Sequence, residues 1–78
     1  MPHFFFDTYD GETAISDDQG LALPSLEVAL AEAVRALPDM ARDALPYGDQ
    51  RDFSVAVRDV SGRALYKVTL SLTVYRKV

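Results

Sequence analysis

The chain has 78 residues, room for one domain and one modest core, and its 49% hydrophobic and 26% charged residues give a globular balance rather than that of a disordered or membrane chain. It has no cysteine, which excludes a disulfide framework, a thiolate nucleophile and a cysteine-held zinc. The net charge of −4 conceals a polarity: residues 1–50 hold ten acids against Arg35 and Arg42, whereas residues 51–78 hold Asp52 and Asp59 against six bases.

A first strand is predicted from about His3 to Tyr9. Asp10-Gly11 follows as a two-residue hairpin signal, since both positions tolerate positive φ. That turn would pair Tyr9 with Glu12, Thr8 with Thr13 and Phe6 with Ile15. Phe4, Phe6 and Ile15 then share one face, while His3, Phe5, Asp7 and Tyr9 share the other. The middle of three consecutive phenylalanines is thus expected on the face away from the core. Asp17-Asp18-Gln19 leads to Gly20, a natural left-handed position.

A helix is predicted to begin near Ser25, which can cap the first free N–H groups, with Glu27 in its first turn. Leu26, Leu30, Ala33, Leu37, Met40 and Ala44 recur at helical spacing, with Glu32, Arg35, Asp39 and Arg42 off that stripe. Pro38 lies inside the pattern. A proline there removes one hydrogen bond and crowds the preceding turn, so a kink or break is expected. The element should end at Leu45-Pro46, followed by a loop through Gly48.

The remainder reads as a second hairpin. Phe53, Val55 and Val57 alternate with polar or small residues, and beyond Ser61-Gly62 so do Tyr66, Val68, Leu70, Leu72 and Val74. A two-residue turn sets Val57 opposite Tyr66, Val55 opposite Val68 and Phe53 opposite Leu70, which puts both apolar sets on one face. The expected fold class is α+β: a four-stranded, mainly antiparallel sheet (strand, strand, helix, strand, strand) with one helix, kinked or broken at Pro38, on one face of a single domain. Strand order cannot be read from the sequence.

One helix covers one face. The other would carry Phe5 and Tyr9 from the first strand and Leu65, Lys67, Thr69, Ser71, Thr73 and Tyr75 from the last. Phe5, Tyr9, Leu65, Thr69, Thr73 and Tyr75 are therefore the candidate interface, because a contiguous exposed apolar patch marks a contact site. The last strand reads as about eleven residues, against roughly five or six for an ordinary strand. Its surplus from Leu72 to Val78 would be an unpaired edge, blunted by Arg76 and Lys77. A homodimer is expected, either face to face or edge to edge.

No catalytic constellation stands out, and the expectation is a protein that is not an enzyme. His3 is the lone histidine and sits beside the chain start, a poor place to hold a catalytic group rigidly. Asp7, Asp10, Glu12, Asp17 and Asp18 match no calcium-loop spacing, and the glycines at 11, 20, 48 and 62 form no phosphate-cradling loop. Neither metal nor cofactor is expected. Arg58, Arg63, Lys67, Arg76 and Lys77 form a candidate basic patch on the second hairpin, with Phe5, Tyr9 and Tyr75 as stacking surfaces. The overall acidity argues against nucleic acid as the partner. No apolar run is long enough for a spanning helix and no leader-like start is evident, so a cytoplasmic protein without membrane contact is expected.

Met1-Pro2-His3-Phe4-Phe5-Phe6-Asp7, the Asp10-Gly11 turn, Asp17-Asp18-Gln19-Gly20, the alanine-rich "SLEVALAEAVRAL" with "MARDALP", and the closing "FSVAVRDVSGRALYKVTLSLTV" together resemble a family of short bacterial proteins of unknown function. That resemblance spans nearly the whole chain and implies the same strand-strand-helix-strand-strand layout. It brings no catalytic residue, cofactor or partner. Pro38 departs from the uninterrupted helix that would be expected with this resemblance. The stretch "PSLEVALAEAVRAL" also resembles small antitoxin domains of the HicB kind, which place three strands before the helix. The sequence thus points first to a self-associating, non-enzymatic interaction or regulatory module. An antitoxin-like or RNA-linked regulator using the basic hairpin is the alternative.

Overall fold

The computed structural model describes residues 1–44, 50–75 and 77. Its elements are β1 (His3–Tyr9), β2 (Ala14–Ile15), β3 (Leu21–Ala22), α1 (Leu26–Ala44), β4 (Gln50–Arg58) and β5 (Ala64–Thr73). All strand pairings are antiparallel, in the order β2-β1-β4-β5, with β3 also on β1. The class is α+β, with a short fifth strand added to the four expected. β2 and β3 lie along the same outer side of β1, as one edge strand interrupted by residues 16–20.

The first turn differs from expectation. Thr8 lies opposite Ile15 and Tyr9 opposite Ala14, two residues out of the predicted register. The Asp10 N–H donates to the Thr13 carbonyl, and Asp10 Oδ1 accepts the amides of Glu12 (2.9 Å) and Thr13 (2.7 Å). Asp10 is thus the flank of the turn, and Gly11 with Glu12 forms its tip; the positive φ falls on Gly11 alone. A two-residue shift preserves sidedness, so Ile15 keeps the face of Phe6 and Thr8.

In the second hairpin the predicted pairs Val57–Tyr66, Val55–Val68 and Phe53–Leu70 all occur, but by another route. The loop is three residues, Val60-Ser61-Gly62, closed by Gly62 N–H to the Asp59 carbonyl and by Asp59 N–H to the Arg63 carbonyl (both 3.0 Å). The extra loop residue is offset by a bulge, where Arg58 pairs with Ala64 and Val57 with Tyr66, leaving Leu65 as the inserted residue. β4 starts at Gln50, which pairs Leu72 with Arg51 and Thr73 with Gln50. The expected overhang of the last strand therefore shrinks, since β5 ends at Thr73.

Ser25 caps α1 as expected: its Oγ accepts the Val28 N–H at 3.2 Å. The helix runs unbroken from Leu26 to Ala44 with Pro38 inside it, so the expected break does not occur. The carbonyl that Pro38 leaves without a donor belongs to Val34, and both residues are on the solvent side, where water can satisfy it. The expected helix end at Leu45-Pro46 and the loop through Gly48 lie outside the described residues.

The core is Phe4, Phe53, Val55 and Val57 beneath Ala29, Ala33, Leu37 and Ala44. Alanines at the contact let the helix approach the sheet closely, so the stripe centres on Ala29, Ala33 and Leu37, with Leu30 at its margin. α1 packs on β4 and β5 rather than on β1. That offset decides which surfaces stay open.

Candidate functional site

The face away from α1 is organised by register. Phe5 lies opposite Arg58, Asp7 opposite Ala56 and Tyr9 opposite Ser54; Ala56 is flanked in turn by Lys67 and Ser54 by Thr69. Phe5 is on the open face, as the alternation requires, but its own chain covers it. The Arg58 guanidinium sits 4.6 Å from its ring centroid and the His3 ring 5.4 Å away. Gly20 presses on both rings, so closely that a Cβ there would lie 2.7 Å from His3 Cδ2 and 2.8 Å from Phe5 Cε1. His3 Nε2 donates to the Gln19 carbonyl at 2.9 Å.

A charged lock holds residues 16–20 in this position. Arg58 Nε donates to Asp7 Oδ2 at 2.8 Å and its Nη2 donates to the Asp17 carbonyl. The Asp17 N–H donates to Asp7 Oδ1 at 2.8 Å. The Asp17 carboxylate accepts the amides of Phe6, Gln19 and Gly20, each at 3.1 Å. It thereby takes the place of the backbone acceptor that β1 lacks where its edge strand is interrupted. Burial pushes the Asp7 carboxyl up, but the Arg58 hydrogen bond, the Asp17 amide and the Arg58 charge outweigh it and hold the group below its ordinary value. Asp17 is held below its ordinary value by the amides of Gly20 and Phe6.

β5 forms the opposite margin of the sheet. Among the described residues no strand pairs with its outer side. It is ten residues long, and Lys67 is its one charged residue. Its helix-side residues Tyr66 and Leu70 remain 43% and 38% exposed, because α1 leans over β4. Above them Val34 is 51% exposed. Val34, Leu37 and Pro38 face Val68, Thr69 and Leu70 across an apolar groove of about 360 Å³ that follows this margin.

Of the sequence-derived interface residues, Phe5, Tyr9, Thr69 and Thr73 share the open face, with Tyr9 and Thr69 in one row across Ser54. Tyr9 is exposed, with its hydroxyl donating to the Gly11 carbonyl at 3.1 Å, and Thr69 and Thr73 are exposed on β5. Tyr75 is exposed beyond the strand end. Leu65 is corrected: the bulge turns it to the core, where it packs beside the buried cluster. Of the basic residues, Arg58 is committed to Asp7, Asp17 and Phe5, whereas Arg63, Lys67 and Lys77 are exposed and Arg76 lies outside the described residues. Sequence reasoning missed Val34, Tyr66 and Leu70, which only the strand order exposes. It also missed the Asp7–Asp17–Arg58 lock, whose one trace in the sequence is the pair of acids so close to the first turn.

A second concavity, about 450 Å³, opens where α1 leaves the first hairpin uncovered. Thr8, Ile15 and Met40 wall it, Asp10, Glu12 and Asp43 rim it, and Arg51 lies at its base with Nε donating to the Asp10 carbonyl. Among the described residues no three His, Cys, Asp or Glu side chains gather so as to hold a metal ion, and no helix is long and apolar enough to cross a membrane.

Residues 3–71 match the model of a family described as a domain of unknown function, DUF6894, and the chain belongs to that family. No curated protein and no solved structure matches it.

Proposed function

We propose that this DUF6894 domain is a small protein-interaction module of the cytoplasm, without chemistry of its own, that assembles as a homodimer through the outer edge of β5. The observation that carries this reading is the β5 margin itself: ten residues of strand with a single charge and an exposed apolar strip on the helix side. Soluble proteins blunt such edges with charge, proline or a covering element, or else pair them. Between two like chains, antiparallel pairing here extends the sheet and keeps both helices on the same face.

Edge pairing is favoured over face-to-face packing because Phe5 on the open face is engaged by Arg58 and His3, and the exposed Lys67 and Thr69 stand beside Tyr9 on the rest of that face. The alternative of an RNA-linked regulator is weakened at Arg58, which is engaged by the Asp7 carboxylate and the Asp17 carbonyl, although Arg63, Lys67 and Lys77 are exposed.

Sedimentation equilibrium across micromolar concentrations tests the proposal. The wild-type chain should sediment as a reversible dimer, and Thr69→Lys/Ser71→Lys, which adds charge to the edge without touching the core, should sediment as a folded monomer. A wild-type monomer at every concentration, or a double variant that dimerises as the wild type does, would overturn it.

A further inference from the structure

Resting on the reading of β5 as a dimer edge, we infer that the occupant of the Val34–Pro38 groove is the same flank of α1 from a second copy, so that the interface has two layers: a β5–β5 ladder and, above it, an antiparallel helix seam.

Parity restricts the ladder. Identical strands paired antiparallel in one sheet are related by a two-fold axis normal to the sheet, so side chains directly opposite must share a face. Only registers in which one residue faces its own copy meet that condition. Lys67 cannot be that residue without setting two like charges directly opposite each other. Centring on Thr69, the middle of the groove, sets Lys67 opposite Ser71, Val68 opposite Leu70 and Tyr66 opposite Leu72. The exposed apolar side chains of the helix side then meet one another.

The same axis fixes the helices. Strands lie about 4.8 Å apart and α1 leans from β5 toward β4, so the two helices stand roughly 10–14 Å from one another, at or just beyond the usual 8–10 Å of packed helices, and side chains of the flank must bridge the seam. The side of α1 that faces the axis follows from helical spacing: Glu27, Val34, Pro38 and Ala41 lie along it, with Ala31 and Arg42 beside them toward solvent. Because Val34 and Pro38 lie over Thr69, the axis brings the first turn of one helix alongside the last turn of the other. Glu27 of one copy then neighbours Arg42 of its mate, and the pair occurs twice. Within one chain Arg42 contacts only Asp39 at 2.9 Å among the described residues, both well exposed, a weak pair that leaves Arg42 able to turn.

Dimer dissociation constants of the full chain test this, with circular dichroism confirming the fold of each variant. Val34→Lys should weaken the dimer by about tenfold or more, since it removes apolar contact and sets a charge at the seam. Glu27→Arg and Arg42→Glu should each weaken it by a few-fold, and the double exchange should restore wild-type affinity. If these helix variants dimerise like the wild type while Thr69→Lys/Ser71→Lys is monomeric, the helix seam is wrong and the β5 edge stands. If the single exchanges weaken the dimer and the double exchange does not restore it, the antiparallel alignment is wrong. A wild-type chain that is monomeric overturns both layers together.

Discussion

Replacing Asp17 with alanine removes three hydrogen bonds at once, those from the amides of Phe6, Gln19 and Gly20. The Gln19 amide is exposed and water replaces the lost acceptor there. The Phe6 and Gly20 amides are part-buried, and bonds to a charged acceptor contribute about 1.5 kcal/mol each at the low end, so a loss of about 3 kcal/mol is expected. A domain of this length has a total stability of roughly 4–12 kcal/mol, so that loss is a large share of it. In Tm it corresponds to a fall of about 12–24 °C. Asp17→Asn should cost about half as much: Oδ1, which serves Gln19 and Gly20, survives, and Oδ2, which serves Phe6, does not. Neighbouring Asp18 makes no hydrogen bond among the described residues, and Asp18→Ala should stay within about 0.5 kcal/mol of wild type. Urea unfolding measures all three, and amide exchange at Phe6 reports the local opening. An Asp17→Ala variant as stable as Asp18→Ala would refute the role given to the carboxylate as a substitute strand.

Gly20→Ala should lose about 2–3 kcal/mol in urea unfolding, since φ is +71° and its Cβ would strike His3 and Phe5. Gly62→Ala, with φ of +87° and open space around it, should lose only about 1 kcal/mol, so equal losses would show that the contact with Phe5 does not matter. Stability should also fall in acid. Asp7 and Asp17 are held below their ordinary carboxylate values, so their contribution is full above the unfolded value of 3.8 and is lost as pH falls through the depressed folded values. A urea midpoint that declines between about pH 5 and pH 2, with a shallower decline in Asp17→Asn, is the expected result; identical slopes would contradict it.

Much of the fold could be read directly because parity is robust. The first turn slipped by two residues and the second loop grew by one, yet Ile15, Tyr66, Val68 and Leu70 all kept their predicted faces, the first because two is the strand period and the others because the bulge at Leu65 absorbed the extra residue. Leu65 itself could not be placed, since a bulge has no mark in an alternating pattern. Of the kink or break expected at Pro38, the break does not occur, because an exposed helix flank tolerates the missing donor. Phe5 was assigned to the correct face and to the wrong company: alternation gives the side of the sheet, but not the loop through Gly20 that folds back over the ring. The β5 margin required strand order, which depends on long-range pairing, and so Tyr66 and Leu70 stayed hidden among core positions while Val34, off the helix stripe, was not singled out.

The absence of cysteine from the chain offers the most direct probe of how two copies meet. Thr69→Cys places a single thiol at the proposed axis, where it should face its own copy; mild oxidation should convert the protein to a disulfide-linked dimer, while Ser61→Cys at the distant hairpin loop should remain uncrosslinked. Thr69→Cys that stays monomeric under the same oxidation, or crosslinks no faster than Ser61→Cys, would contradict β5 pairing centred on Thr69.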